Sequence, residues 1–234
     1  MKKVLIGIFA HPDDEGFGPS GSLYKAAQNG TDVHLLLATK GNAGVNCDNC
    51  EELGTVRLEE WHRSGALIGA KTMHCFNYED GKLCNDIYLE LAEKILEKIS
   101  GITGSYVQEV ELELLTFDQN GLSGHLDHVA ISLITTFVYE KLKDDPIPNT
   151  TLGKLRYYCV CQHFSPKAST SWIFMPAGRT PEEIDEIIDI SDVYEQKLEI
   201  MRAHKTQRDD MEMILSRYGD DPRGKEECFM HYKA

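Results

Sequence analysis

The sequence predicts an α/β fold built on a mostly parallel sheet. Apolar runs of strand length alternate with longer stretches of helical periodicity, which is typical of repeated strand–helix–strand units. Two of these runs, residues 4–10 and 110–117, lead into clusters of His and acidic side chains. Because ligands bind outside the carboxyl ends of strands in open α/β sheets, the same pattern predicts where a site lies.

The composition predicts a single domain over residues 1–234 and narrows the range of partners. Against 38 Asp and Glu, the 24 Lys and Arg leave a net charge of -14, which argues against binding to nucleic acid or to an anionic membrane. No apolar stretch is long enough to span a bilayer, and the short run after Lys3 lacks a signal-peptide cleavage site. We therefore expect a cytoplasmic protein without membrane insertion.

The seven cysteines are scattered and odd in number, as expected for thiols that stay reduced. Cys47 and Cys50 form a C-x-x-C pair, but no second pair lies at zinc-finger spacing and no strand leads directly into it. We interpret both as loop cysteines, and a redox or metal-binding role is the alternative.

The first strand, residues 4–10, is followed by His11, Asp13, Asp14 and Glu15. Three neighbouring carboxylates repel one another unless a cation or protons offset their charge. The adjacent imidazole favours a transition metal over a site with oxygen ligands alone. The stretch therefore predicts one half of a metal site, with a solvated acidic turn as the alternative.

Residues 16–21 match the G-x-G-x-x-G dinucleotide fingerprint letter for letter. The context does not fit, because the preceding acids would repel a pyrophosphate and residues 39–41 provide no acid for the ribose hydroxyl. Nicotinamide binding is therefore disfavoured. The glycines instead allow close packing at the start of a helix over residues 22–29, with Gly30 as its C-cap.

The middle of the chain continues the alternation of strands and helices. Arg57 and Glu60 lie one helical turn apart, where an exposed ion pair is the simplest interpretation. Asp80 belongs to a turn after the third strand, and Asn85 is predicted to cap the next helix. The predicted elements are strands at 33–38, 72–76 and 110–117, a helix at 51–68 and a second helix from residue 85.

A second cluster follows the fourth strand, at Gly124-His125-Leu126-Asp127-His128. His125 and His128 are three residues apart at the start of a predicted helix, so they share one helical face. Two imidazoles with an acid between them are what a metal site begun at His11 would need as its second half. The nearby residues 121–125 resemble the nucleophile elbow G-x-S-x-G but end in His, which disfavours a serine hydrolase.

The C-terminal third is less informative. Strands are predicted at 154–161 and 171–175, and a short edge strand at 187–190. Ser191-Asp192 with Glu195 suits a capping box for a helix that continues to about Gln207. Lys197 and His204 lie on one face of that helix, from which His204 can reach the site. The last twenty-five residues are polar and predict no element.

These motifs resemble the zinc-dependent de-N-acetylases of the PIG-L and LmbE type. The resemblance rests on residues 10–15, on residues 124–128, and on Lys197 with residues 204–207, with weaker agreement at residues 39–44. It implies a Rossmann-like α/β sheet flanked by helices on both faces. It also implies hydrolytic removal of an N-acetyl group from an N-acetylglucosamine-type amino sugar or its conjugate, which makes a small amino-sugar molecule the expected partner.

The resemblance implies a role for each site residue. The metal ligands are His11, Asp14 and His128, a donor set that favours Zn2+ and can also hold Fe2+. Asp13 is the expected general base, and His125, kept cationic by Asp127, is expected to stabilise the oxyanion. Expected substrate contacts are Arg57, Asp80 and His204, with Glu60 supporting Arg57.

The chain departs from the family pattern at three positions. Leu126 replaces a common Pro, Asn42 lies where Thr-x-Gly-Glu is common, and Ser123 lies where some members have an aromatic residue. These departures concern substrate contacts more than the chemistry. A non-catalytic Rossmann-like module that binds a sugar or nucleotide, and an Fe(II)-dependent enzyme using the same ligands, remain as alternatives. No feature of the sequence predicts an oligomeric state.

Overall fold

The computed structural model describes residues 1–165 and 176–233. Within these residues, seven strands form one mixed sheet in the order β3-β2-β1-β4-β5-β7-β6. The strand expected at 171–175 lies outside the described residues. The strands are β1 Lys2–Phe9, β2 Asp32–Thr39, β3 Thr72–Tyr78, β4 Val110–Phe117, β5 Thr150–Cys159, β6 Glu186–Asp189 and β7 Glu226–His231.

Helices connect these strands. None of them, in the part of the chain that the structure describes, combines the length and apolar character needed to cross a membrane. They are α1 Asp14–Phe17, α2 Ser20–Gln28, α3 Leu53–Ile68, α4 Tyr88–Gly104, α5 Gly121–Gly124, α6 Leu126–Asp144, α7 Tyr194–Arg202 and α8 Arg208–Tyr218.

The first five strands run parallel, and the last two add an antiparallel edge. β1 pairs in parallel with both β2 and β4, so it lies at the centre of the sheet. β7 runs antiparallel to β5 and carries the short edge strand β6. Helices α2, α3 and α7 pack together, and α4 packs with α6 as a separate group. The predicted α/β class with a mostly parallel, helix-flanked sheet is confirmed.

The core lies between the central strands and these helices. Phe9 of β1 and Phe117 of β4 are fully buried and pack with ring centroids 5.3 Å apart. From α4, Leu91, Ile95 and Ile99 are each 0% exposed, and their spacing of four residues places them on one buried face of the helix. Burying a side chain of this size stabilises the fold by about 1.5 to 3 kcal/mol.

Two predicted helix starts are wrong. Asn85 does not cap α4; it begins a 3-10 turn, and α4 starts at Tyr88 without a side-chain cap. The predicted capping box at Ser191 is likewise replaced by a 3-10 turn, and α7 begins at Tyr194. In both places a tighter turn precedes the α-helix and moves its first residue two or three positions along the chain.

The helix expected to continue to Gln207 ends at Arg202. His204 has φ -88° and ψ 64°, which is not helical, and residues 205–207 form a 3-10 turn before α8. Side chains beyond Arg202 bind carboxylates of other elements, as described below, and these tertiary contacts override the helical periodicity. The polar C-terminal region, which predicted no element, contains α8 and β7.

Candidate active site

The site begins at the carboxyl end of β1, where the chain turns sharply into α1. Asp13 has φ 123° and ψ -24°, a backbone conformation that favours glycine. Holding a non-glycine residue there costs on the order of 1 to 3 kcal/mol. His11, Asp13 and Asp14 are all buried in this turn. The strain is therefore located at the residues for which the sequence predicts chemistry.

The second cluster meets the first because β1 and β4 are neighbours, with Gly7 opposite Leu115. The chain leaves β4, passes through α5 and enters α6 with His125 as the N-cap residue. His128 lies in the first turn of α6, and its Nδ1 is 3.2 Å from the carbonyl oxygen of Gly121. That contact directs Nε2 of His128 towards the end of β1.

The imidazoles of His11 and His128 and the carboxylate of Asp14 lie next to one another at the end of β1. Nδ1 of His11 is 3.2 Å from Nε2 of His128, which is 3.1 Å from Oδ1 of Asp14. Oδ2 of Asp14 is 3.8 Å from Nδ1 of His11. Donors bound about 2.1 Å from a tetrahedral metal ion lie about 3.4 Å apart. The separations fit a divalent ion held by two nitrogens and one carboxylate.

The electrostatics of the cluster also fit a cation. Burial alone would lower the pKa of His11, but hydrogen bonds to Asp127 and Asp80 outweigh it and raise that pKa to about 10. Burial would raise the pKa of Asp14, but the positive charge of His128 and its hydrogen bond hold it well below its usual range. The negative charge of the carboxylates around His11 therefore stabilises a positive charge between them, which protons or a metal ion can supply.

Asp13 is paired with Arg57 rather than with the three converging donors. Nη2 of the Arg57 guanidinium donates to Oδ2 of Asp13 at 2.8 Å and to the carbonyl oxygen of Pro12 at 2.6 Å, and Nη1 donates to Gly41 at 2.5 Å. Burial raises the pKa of Asp13 to about 6, although the charge of Arg57 opposes the shift. A carboxylate with this pKa suits proton transfer near neutral pH. Arg57, 3% exposed, holds this carboxylate in place.

His125 lies beside His128, and its surroundings favour a neutral imidazole. Its ring stacks on that of His128, with centroids 4.6 Å apart. Burial, together with the charges of His128 and His11, lowers the pKa of His125 to about 4. The expectation that Asp127 keeps this imidazole cationic is therefore wrong. The backbone N–H of Asp127 donates to Nδ1 of His125 at 3.3 Å, which places the ring proton on Nε2.

Two other expected contacts also differ. His204 is 1% exposed, and its Nε2 is 3.0 Å from Oε1 of Glu15, so it supports the end of β1 from behind. Glu60 does not support Arg57, because its carboxylate accepts hydrogen bonds from the backbone and hydroxyl of Thr206 at 3.0 and 2.6 Å. Asp80 does lie at the site, with Oδ1 3.0 Å from Nε2 of His11.

A cleft of about 810 Å3 opens above these residues. The catalytic candidates and Asp80 line its floor, and loop 43–45 lines one side. The opposite wall contains residues that sequence reasoning missed, because they come from β5, the segment after it and the polar C-terminal region. The larger apolar ones are Tyr158, Val160, Phe164, Met213 and Ile214, and Phe17 of α1 also lines the cleft.

The spacing of the α8 residues that line the cleft could have been read from the sequence. Asp210, Met213, Ile214 and Arg217 follow the spacing i, i+3, i+4, i+7, and all four line the cleft from one face of α8. The mixed polarity of these residues concealed the pattern, because an amphipathic helix is recognised by an apolar stripe.

Comparison with known proteins assigns the family. The sequence matches the PIG-L family, described as GlcNAc-PI de-N-acetylase, over residues 6–139, which is more than half of the chain. The chain belongs to the PIG-L family. The matched region contains both clusters of the site, and it ends before α7, α8 and β7. The resemblance inferred from the motifs is confirmed.

Curated relatives of this PIG-L family member are distant but cover most of the chain. A 1D-myo-inositol 2-acetamido-2-deoxy-alpha-D-glucopyranoside deacetylase of Mycobacterium sp. (strain JLS) is 24% identical over 227 residues, covering 87% of this chain and 73% of the relative. The diacetylchitobiose deacetylase of Thermococcus kodakarensis is 28% identical over 222 residues, covering 88% and 70%.

Among solved structures, N,N'-diacetylchitobiose deacetylase from Pyrococcus horikoshii superposes with a TM-score of 0.67. The match covers 99% of this PIG-L family chain and 84% of the other, at 20% sequence identity. At this level of identity the likeness concerns the fold alone.

Proposed function

We propose that the protein is a metal-dependent deacetylase that hydrolyses the N-acetyl group of an N-acetylglucosamine-type amino sugar or its conjugate. The observation that carries the proposal is the convergence of His11, Asp14 and His128 beside an activated carboxylate, Asp13, in one cleft. Membership of the PIG-L family supports the same reaction. Both curated relatives are named as deacetylases of N-acetylated sugars.

The three converging donors would hold the metal, and we propose that it is zinc. Two imidazole nitrogens and one carboxylate oxygen form the donor set of many catalytic zinc sites and leave a position open. When bound, the ion supplies Lewis acidity that polarises the amide carbonyl and makes water more acidic. The same donors accept Fe2+, so the identity of the metal is part of the test.

Asp13 is the proposed general base. Its raised pKa allows it to take a proton from the attacking water and to return that proton to the departing amine nitrogen. Arg57 holds its Oδ2, which leaves Oδ1 for the water. We therefore assign Arg57 to the positioning of Asp13, in place of the substrate contact expected from the sequence.

His125 is the proposed donor to the tetrahedral oxyanion. As a neutral imidazole with its proton on Nε2, it donates one hydrogen bond to the oxygen on which negative charge develops. This geometry does not require a cationic ring. Asp80, which lines the cleft, is the proposed contact for a sugar hydroxyl.

The test combines metal analysis with product detection. Elemental analysis of the purified chain should find close to one zinc or iron per chain. Amine release should be detected from at least one member of a panel containing N-acetylglucosamine, diacetylchitobiose and an N-acetylglucosaminyl inositol. Loading the metal-free chain with Zn2+ or with Fe2+ under anaerobic conditions then identifies the active metal. The proposal is contradicted if the purified chain contains no metal and still releases no amine after it is loaded with Zn2+ or with Fe2+.

His128→Ala tests the assignment of His128 as a metal ligand. Because it removes one of three ligands, the variant should retain little metal after dialysis and release no amine. His62→Ala, which changes an exposed His on α3, should bind metal like the wild type. Full metal content in His128→Ala would exclude this ligand assignment.

A further inference from the structure

We infer that Asp127 is a positioning residue for the metal ligand His11, holding the Nε2–H of its ring so that Nδ1 faces the metal. This assignment replaces the expected action of Asp127 on His125. It rests on the proposed function, because it requires a metal ion bound to Nδ1.

The ring of His11 has different neighbours at its two nitrogens. Nδ1 faces Nε2 of His128 at 3.2 Å, whereas Nε2 is 3.0 Å from Oδ1 of Asp80 and 3.2 Å from Oδ2 of Asp127. Ionised carboxylates only accept hydrogen bonds, so the proton of the neutral ring belongs on Nε2. The lone pair of Nδ1 is then available to a metal. A carboxylate behind a ligating imidazole fixes its tautomer and increases its basicity in this way.

Two carboxylates share this single N–H, and their other contacts distinguish them. Asp127 is 1% exposed, and its oxygens also accept the backbone N–H groups of Gly81 at 2.8 Å and Leu83 at 3.2 Å. Asp80 accepts a single backbone N–H, from Ala43 at 2.6 Å, and it lines the cleft, where a substrate hydroxyl would compete for its carboxylate. Asp127 is therefore the acceptor that keeps its hydrogen bond to His11 throughout turnover.

A metal ion bound on the Nε2 side of the His11 ring is an alternative that has to be tested. Nε2 of His11 and the carboxylates of Asp80 and Asp127 lie within 4.8 Å of one another, so a metal ion could be held on this side of the ring. The hydrogen bonds of Asp127 argue against it. Both of its oxygens already face backbone N–H groups, whose partial positive charges would oppose a cation at that position. The geometry places the proton on this side and the metal on the other.

Metal affinity tests the assignment in the full-length chain. We measure Zn2+ binding by competition with a chromogenic chelator. Asp127→Asn should weaken Zn2+ binding by about 10- to 100-fold, as is typical when the carboxylate behind a metal-ligating imidazole is lost. Asp80→Asn should weaken it less. The control is Asp118→Asn, which alters another buried carboxylate near the site, one that binds Arg179 at 2.7 Å; its affinity should stay within about twofold of wild type.

A second measurement needs no variant. In the Zn2+-loaded wild-type chain, nitrogen-15 NMR of the imidazole rings should show His11 protonated at Nε2 and metal-bound at Nδ1. A purely structural role of Asp127 would not fix this tautomer. If Asp127→Asn fails to fold, the same spectrum of Asp80→Asn decides: an unchanged tautomer leaves Asp127 as the acceptor of the Nε2–H, and a changed tautomer overturns the assignment.

The outcomes separate the two proposals. A wild-type chain that binds no Zn2+ contradicts the proposed function itself. A wild-type chain that binds Zn2+ while Asp127→Asn binds it equally well overturns only the role of Asp127. A metal on Nε2 of His11, or a loss in Asp80→Asn as large as in Asp127→Asn, overturns it as well.

Discussion

At the scale of single residues, burial gives neighbouring carboxylates different protonation behaviour. Asp13 and Asp14 are adjacent in sequence and both are buried, yet the pKa of Asp13 is raised to about 6 and that of Asp14 is lowered. The difference follows from their partners. Asp14 accepts two backbone N–H groups and faces His128, whereas the effect of burial on the pKa of Asp13 is opposed chiefly by the charge of Arg57 and reinforced by the charge of Asp14. One carboxylate is thereby suited to bind a metal and the other to carry a proton.

Asp13→Asn should therefore separate proton transfer from metal binding. The amide retains the shape of the side chain but cannot accept the water's proton, so kcat/KM should fall by about two to four decades. Metal content should stay at the wild-type level, because Asp13 is not among the three converging donors. The measurement pairs amine release with elemental analysis. Loss of the metal in this variant would mean that base and ligand have been assigned the wrong way round.

His34 provides a test of pH dependence away from the candidate active site. It is 4% exposed on β2, where Nδ1 is 2.7 Å from Oγ1 of Thr72 and Nε2 is 3.1 Å from the hydroxyl of Tyr106. Burial lowers its pKa from the usual 6.5 to about 4. Between these values the unfolded chain binds more protons than the folded chain, so stability falls as the pH drops from 6.5 towards 4.

His34→Gln should remove that part of the pH dependence. We expect the wild type to lose about 1 to 2 kcal/mol more stability than the variant between pH 7 and pH 4.5. Urea denaturation of both proteins across this range provides the comparison. His62→Gln, which changes an exposed His, should retain the wild-type slope. Parallel curves for wild type and His34→Gln would show that His34 does not titrate as described.

At the scale of elements, strongly patterned segments could be predicted from the sequence. The runs that form β1 and β2 are recognisable because a buried parallel strand needs no polar alternation, and the run that forms β4 alternates at first and then becomes apolar. The start of α6 was recognised from His125 and His128, whose spacing has one simple explanation. The strand–loop–helix order placed both clusters at one edge of the sheet.

The remaining parts could not be read from local patterns. α8 shows mixed polarity because it faces a cleft instead of the core, so its periodicity does not appear as an apolar stripe. The partners of Glu60 and His204 lie more than a hundred residues away in sequence, at Thr206 and Glu15. Helical spacing alone suggested a pairing of Glu60 with Arg57 that the tertiary contacts exclude. A single sequence contains no information about such partners.

The wall formed by α8 predicts an effect on substrate preference. Ile214→Asp should raise KM about five- to thirtyfold for conjugates that extend beyond the amino sugar, which corresponds to about 1 to 2 kcal/mol of lost apolar contact. kcat and the KM for free N-acetylglucosamine should change little. Ser216→Asp adds the same charge to the exposed side of α8 and serves as the control. An equal loss for all substrates would place Ile214 near the reacting amide instead.

At the scale of the whole molecule, a buried ion pair between α7 and β7 also forms hydrogen bonds with the N-terminal half, where the Nζ of Lys197 donates to the carbonyl oxygen of Gly18. Nζ of Lys197 on α7 lies 2.6 Å from Oε1 of Glu227 on β7, and that carboxylate also accepts the N–H groups of Gly21 and Ser22 at the start of α2. Both charged side chains are at most 4% exposed. The three elements are thus connected directly behind the turn that contains Asp13.

Lys197→Met should therefore destabilise the whole chain. It keeps most of the side-chain volume but leaves the charge of Glu227 buried without its cation, at a cost of about 3 to 5 kcal/mol. Lys25→Met, which removes an exposed pair with Asp192, should cost less than about 1 kcal/mol. Urea denaturation measures both. A wild-type stability for Lys197→Met would show that Glu227 is satisfied by the backbone alone.

The backbone conformation of Asp13 predicts that the carboxylate at this position lowers the stability of the folded chain. Glycine occupies φ 123° freely, so Asp13→Gly should be more stable than Asp13→Ala by about 1 to 2 kcal/mol, the reverse of the usual order at most positions. Both variants lose the carboxylate equally, and calorimetry can compare their unfolding. The Gly variant is expected to be more stable and inactive, so the carboxylate proposed to transfer the proton would be kept at this position at a cost in thermal stability.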